Sequence, residues 1–137
     1  MKVGHKRIDS FFIFYYLCRR RQYMIMYIFR LALLEEAKKF LQSLPPQAYK
    51  KILYNIDRVA GGERNKELVK KLENSEIWEF RTLYNGIAYR LFAFWDTDMN
   101  TLVVATHGII KKTQKTPKKE IARAEAIMKQ YFEIKNK

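Results

Sequence analysis

"IWEFRTLYNGIAYRLFAFW", residues 77–95, consists of two aromatic and β-branched runs on either side of Asn85 and Gly86. An Asn-Gly pair supplies two neighbouring residues that tolerate positive φ, which is what a two-residue type I′ turn demands. The stretch therefore predicts a β-hairpin in which Tyr84 faces Ile87. Following the ladder back from the turn puts Arg81 directly opposite Arg90, on one face with Glu79, Leu83, Ala88 and Phe92. The other face carries Trp78, Phe80, Thr82, Tyr84, Ile87, Tyr89 and Leu91 and reads as the core side. Like charges directly opposite each other cost a few tenths to about 1 kcal/mol, so something must offset the arginine pair. Two readings compete. Glu79, diagonal to Arg90 and two residues from Arg81, neutralises the pair within the sheet, or the pair awaits a phosphate that a planar guanidinium grips through two hydrogen bonds.

Beyond the hairpin, "DTDMN" (96–100) is a polar turn into a third strand, "TLVVATHGI". The length of that turn sets the face of His107: a hairpin closed around residues 96–99 puts it beside the arginines, and a five-residue turn puts it on the core side. A hydrogen-bonded structural role for His107 stands beside a catalytic one. The following segment, "HGIIKKTQKTPKKEI" (107–121), is rich in lysine. Lys111 and Lys112 leave the strand together, so at least one points away from the core. Lys118 and Lys119 fall in the first turn of a last helix, where cations oppose the helix macrodipole unless an anion is present. A solvated charge run is the competing meaning of this segment.

That last helix has Pro117 in its first turn and an apolar stripe of Ile121, Ala124, Ile127, Met128 and Tyr131. Upstream of the hairpin, apolar positions from about Leu33 to Leu44 recur at helical spacing. Pro45 and Pro46 stop that helix and open a second, which carries Tyr49, Ile52, Leu53, Ile56 and Val59 and ends at Gly61 and Gly62. The expected order is helix, helix, three strands and helix, with a first strand near residues 24–30. This is an α+β domain: an antiparallel meander covered by helices on one side.

The 137 residues suit one domain, and nearly half are apolar, enough for a core. Twenty-seven Lys and Arg against 14 Asp and Glu leave a net charge of +13, which points toward polyanions, nucleic acid first. The single cysteine, Cys18, excludes an internal disulfide framework and suits a reducing cytosol. There is no Cys/His cluster with zinc spacing, and the scattered carboxylates offer a two-metal site no evident ligands. The expectation is a cytoplasmic protein without metal or other cofactor. Residues 1–25 hold the apolar run "FFIFYYL" (11–17) followed by Arg19, Arg20 and Arg21. The run is too short to span a membrane and has the wrong neighbours for a signal peptide. It reads as an extension or arm preceding a domain of residues 26–137, with Met24 or Met26 the favoured start.

Metal-independent RNA cleavage needs a group to activate the ribose 2′-OH, cations to stabilise a phosphorane-like transition state, and a proton for the leaving 5′-oxygen. Arginines and lysines suit the second task, and a histidine near neutral pKa suits either of the others. Phe92, expected to be exposed on the arginine face, could stack a base.

"LENSEIWEFRTLYNGIAYRLFAFW", followed by "LVVATHGIIKKTQKTPKKEIARAEAI", resembles the phage-derived branch of the RelE/HigB/ParE toxin superfamily, the toxin halves of type II toxin-antitoxin systems. The resemblance runs from about residue 28 to residue 132. It implies a RelE-like fold, with two N-terminal helices packed on a small antiparallel sheet and a C-terminal helix. It also implies an mRNA interferase acting on the ribosome and silenced by a cognate helix-turn-helix antitoxin. By resemblance Arg81, Arg90, His107, Lys111 and Lys112 form the catalytic basic face, Lys115, Lys118 and Lys119 contact RNA, Glu79 orients an arginine, and Trp78 is structural. Relatives place a catalytic Tyr or His near the C-terminus, whereas Tyr131 falls on the apolar stripe here. Members that poison DNA gyrase share the fold, and a non-catalytic RNA binder would share the basic face.

Overall fold

The computed structural model describes residues 28–99, 101–112 and 115–137. The elements run β1 (Arg30–Leu33), α1 (Glu35–Gln42), α2 (Pro46–Ala60), β2 (Val69–Lys71), β3 (Trp78–Tyr84), β4 (Ile87–Trp95), β5 (Leu102–Lys111) and α3 (Lys118–Lys135). The domain is mixed α+β, with a five-stranded sheet in the order β1-β5-β4-β3-β2 and three helices among the described residues. The proposed extension and start site lie outside those residues, as does most of the strand expected near 24–30.

The hairpin forms as its sequence dictates. Asn85 and Gly86 take φ of 51° and 75°, Tyr84 pairs with Ile87, and Arg81 pairs with Arg90. Local hairpin signals say nothing about strands that pair across long separations, and there the expectation needs correction. The sheet is not purely antiparallel, because β1 runs parallel to β5 at its edge; such a pair needs a long crossover, which the two helices and the meander supply. The polar stretch after α2 also contributes a short edge strand, β2, antiparallel to β3. Leu33 belongs to β1, and α1 starts two residues later.

Helices cover both faces of the sheet, not one. Ala37 and Leu41 of α1, with Ile52, Ile56 and Val59 of α2, pack on Phe80, Tyr89, Leu91, Ala93 and Val103. On the other face Ala124 and Tyr131 of α3 pack on Ile77, Phe92, Phe94, Leu102 and Val104. The arginine face thus turns apolar toward the far ends of β3 and β4, and those aromatic side chains need cover as much as the opposite face does. Phe94 meets Tyr131 edge-on at 5.3 Å between ring centres. Buried Asp96, at the end of β4, accepts hydrogen bonds from Tyr131 Oη (2.6 Å) and Lys135 Nζ (2.5 Å) and fastens the last turns of α3. Tyr131 is therefore an anchor in the core.

Gly108 permits the close approach of α1 to β5. A Cβ at this position would stand 2.2 Å from Phe40 Cδ2, well inside van der Waals contact.

Candidate nucleic-acid interface

On the α3 face the strands set side chains in rows. Lys70, Glu79, Phe92 and His107 are successive partners across β2, β3, β4 and β5. The next row holds Arg81, Arg90 and Ile109, and the one after it Leu83, Ala88 and Lys111. Two arginines, two lysines and one carboxylate thus share a patch of sheet.

Glu79 is fully buried and organises the patch. Its Oε1 accepts a hydrogen bond from Arg81 Nε at 2.9 Å and lies 3.4 Å from Arg90 Nε. Its Oε2 accepts one from Thr116 Oγ1 at 2.5 Å. One carboxylate therefore holds both arginines and ties them to the segment that leads into α3. Arg81 Nη1 also donates to Lys66 O at 3.1 Å, and Arg90 Nη1 to Tyr89 O at 3.0 Å. Arg90 Nε is buried without a hydrogen-bond partner among the described residues. Burial lowers the proton affinity of Arg90, and Arg81 lowers it further against the pull of Glu79.

His107 reaches this face through a β-bulge. Ala93 pairs with Ala105 but Phe92 pairs with His107, leaving Thr106 as the extra residue. Without the bulge His107 would face Leu91, on the α1 and α2 side; one inserted residue moves it to the arginine side. There it is 1% exposed, with its ring 4.9 Å from that of Phe92. Its Nε2 lies 3.0 Å from Glu120 Oε1 and its Nδ1 lies 3.0 Å from Thr106 Oγ1. A carboxylate beside Nε2 calls for the proton there, so Nδ1 accepts from the threonine hydroxyl. Burial pulls the imidazole below its ordinary pKa, against the opposing pull of Glu120. The ring is a neutral strut beneath the first turn of α3.

Phe92 is also fully buried, under α3 and against His107. The expectation that it is an exposed stacking platform is wrong, because the helix predicted to lie with the others covers its face of the sheet. Trp78 points into the other side of the sheet, where it lines an apolar pocket with Phe29, Phe80 and Trp95.

The cations open onto a cleft of about 620 Å³ between the β2–β3 turn, the end of β5 and the start of α3. Its lining includes Lys70, Arg81, Lys111, Lys115 and Lys118, against two carboxylates, Glu73 and Glu125. Lys111 is partly buried; desolvation pulls its ammonium below the ordinary lysine range, and Arg90, Arg81 and Lys70 push it the same way against Glu79. Lys112 and Lys119 are exposed outside this lining. Pro117 gives α3 no side-chain cap. Lys70, Thr116 and Glu120 were not anticipated. Lys70 sits in a stretch that reads as a connector, and the roles of Thr116 and Glu120 exist only once α3 crosses the sheet.

Residues 39–129 match the family described as phage derived protein Gp49-like (DUF891). The chain belongs to that family. The Gp49-like proteins are a RelE/HigB-like toxin family, associated with the toxins of toxin-antitoxin systems, and such a toxin has an antitoxin partner in general. The matched span contains every residue of the arginine patch and the cleft. None of the curated proteins matches the chain. Among the described residues of this Gp49-like domain, no helix is long and apolar enough to cross a membrane.

Proposed function

We propose that the protein is the toxin of a type II toxin-antitoxin system, an endoribonuclease of the HigB-like branch that binds translated mRNA in the α3-face cleft. The observation that carries this reading is the convergence of Lys70, Arg81, Lys111, Lys115 and Lys118 on one cleft, with the arginines held in place by a buried carboxylate. Positive charge set this closely suits a phosphodiester backbone.

In the cleavage step the ribose 2′-oxygen attacks phosphorus as its proton leaves, and the bond to the 5′-oxygen breaks as that oxygen takes up a proton. A 2′,3′-cyclic phosphate and a 5′-hydroxyl result. Arg81 and Lys111 stabilise the charge that develops on the phosphoryl oxygens. Lys111, shifted below the ordinary lysine range, is the group best suited to proton transfer. Arg90, His107 and Glu79 are positioning residues: Glu79 holds Arg81 and Arg90 on one carboxylate, and His107 with Glu120 fixes the start of α3. Lys112 and Lys119 act at the rim as long-range attraction for the strand. The resemblance supports ribosome-dependent action in the cytoplasm, without a metal or other cofactor, and silencing by a helix-turn-helix antitoxin.

The test is to incubate purified protein with mRNA, with and without translating ribosomes, and to map the new 5′ ends. Cleavage that Lys111→Gln abolishes without lowering the melting temperature supports the proposal. Intact mRNA in both conditions, together with a DNA-damage response on induced expression, would overturn it in favour of a gyrase-directed toxin.

A further inference from the structure

A site for phosphate alone gains nothing from carboxylates, yet the β2–β3 turn sends Glu73 and Asn74 into the same cleft as the five cations. The turn is fixed in place. Ser75 Oγ donates to Glu125 Oε2 on α3 at 2.8 Å and accepts from the Ile77 N–H at 3.1 Å. The Leu72 N–H donates to Ile77 O at 2.9 Å, and Asn74 takes φ of 58°, a left-handed conformation that asparagine tolerates. Glu73 and Asn74 are thus presented from a pinned turn, both exposed, beside the apolar side chains of Leu72, Ile121 and Ala122 that also line the cleft.

A carboxylate repels a phosphate and accepts hydrogen bonds, so this end of the cleft suits a group that donates them. In a single RNA strand the donors are the ribose 2′-hydroxyls and the base edges, and only a base edge can offer two donors side by side to one carboxylate. Guanine offers N1–H and N2–H side by side, a match for the two oxygens of one carboxylate. Cytosine and adenine present one amino group each, and uracil presents one N–H flanked by carbonyl oxygens that Glu73 would repel. The Asn74 amide can donate to guanine O6, and the apolar side chains offer a surface to the flat face of the base.

We propose that Glu73 and Asn74 form a base-reading subsite that selects guanine in the single strand held by the cleft. The subsite rests on the RNA reading of the cleft and deepens it.

The experiment measures fluorescence anisotropy of the full chain with labelled short oligoadenylates, 2′-O-methylated at every nucleotide to prevent cleavage, whose central nucleotide is guanosine, inosine or uridine. Inosine lacks only the N2 amino group. The wild type is expected to bind the guanosine strand about tenfold more tightly than the inosine strand, and more tightly again than the uridine strand. Glu73→Gln should abolish that preference while plain oligoadenylate binds as well or better. Asn74→Gly, which preserves the turn because glycine accepts its φ, should weaken the preference in part. Equal binding of all three strands, or an undiminished preference in Glu73→Gln, overturns the subsite and leaves the basic cleft standing. If none of the strands binds in a salt-dependent manner, the RNA reading of the cleft fails and the subsite fails with it.

Discussion

The two faces of the sheet are built from different chemistry. Beneath α1 and α2 the buried layer is mainly aliphatic and aromatic; among the described residues the buried polar side chains on this side are Asn55, whose Nδ2 donates to Thr82 Oγ1 at 3.1 Å, Thr82 itself and Asp57 of α2. Beneath α3, Glu79, His107, Thr106 and Asp96 are buried among Phe92, Phe94 and Ile77. Burying a carboxylate or an imidazole is unfavourable unless partners replace its water, and each of these groups has such partners. The first face, with its larger apolar cluster, is built mainly for stability. The second gives up some of the same gain to hold charged groups at fixed positions, which is the pattern expected of a functional face.

Substitutions on each side test this division of labour. The largest effect is expected from Glu79→Ala, which leaves Arg81 and Arg90 opposed and partly buried without their shared partner; a cost of about 3–5 kcal/mol in urea unfolding follows for a buried pair. A cost no greater than that of a surface substitution would show that the carboxylate does not organise the patch. On the other face, Leu91→Ala should cost about 2–5 kcal/mol while the folded protein keeps its affinity for RNA, and a loss of affinity there would erase the division of labour. Gly108→Ala should cost about 1–3 kcal/mol by driving a methyl group into Phe40, and Phe40→Ala in the same chain should recover part of it.

A smaller effect concerns pH. Burial lowers the folded-state pKa of His107 from the ordinary 6.5, so the unfolded chain binds its proton first. The folded state is then fully favoured above pH 6.5 and loses stability as pH falls below that value toward the folded pKa. His107→Gln should flatten this part of the stability profile, and an unchanged slope in that variant would place the titration elsewhere. Asp96 acts at lower pH. Burial raises its carboxyl, but hydrogen bonds from Lys135, Tyr131 and the Asp98 N–H outweigh that and hold it below the ordinary value, so its contribution disappears only in acid.

Much of the arginine patch was legible in sequence because a two-residue turn fixes register without ambiguity. Asn85 and Gly86 determine that Arg81 meets Arg90, and the diagonal position of Glu79 follows. Of the two readings of the charge repulsion, the structure shows the first: Glu79 contacts both guanidinium groups. The position of α3 was not legible, because its stripe specifies that a face is buried but not which layer covers it. The exposure expected of Phe92 fails for that reason, since α3 buries it. The face of His107 depends on a bulge at Thr106, and a bulge leaves no turn residue to announce it. The parallel pairing of β1 with β5 joins segments some seventy positions apart and has no local signal.

If the RNA backbone lies in the cleft on the α3 face, the salt dependence of RNA binding follows the lysines that line it. Each phosphate contact on a single strand contributes about 0.7 to the slope of log affinity against log salt. The triple variant Lys70→Gln/Lys111→Gln/Lys118→Gln should therefore lower that slope by about 2. A matched variant at exposed lysines outside the cleft lining, Lys39→Gln/Lys50→Gln/Lys129→Gln, should lower it much less. Equal reductions in the two variants would rule the cleft out as the backbone site, because the affinity would then follow the total charge of the protein.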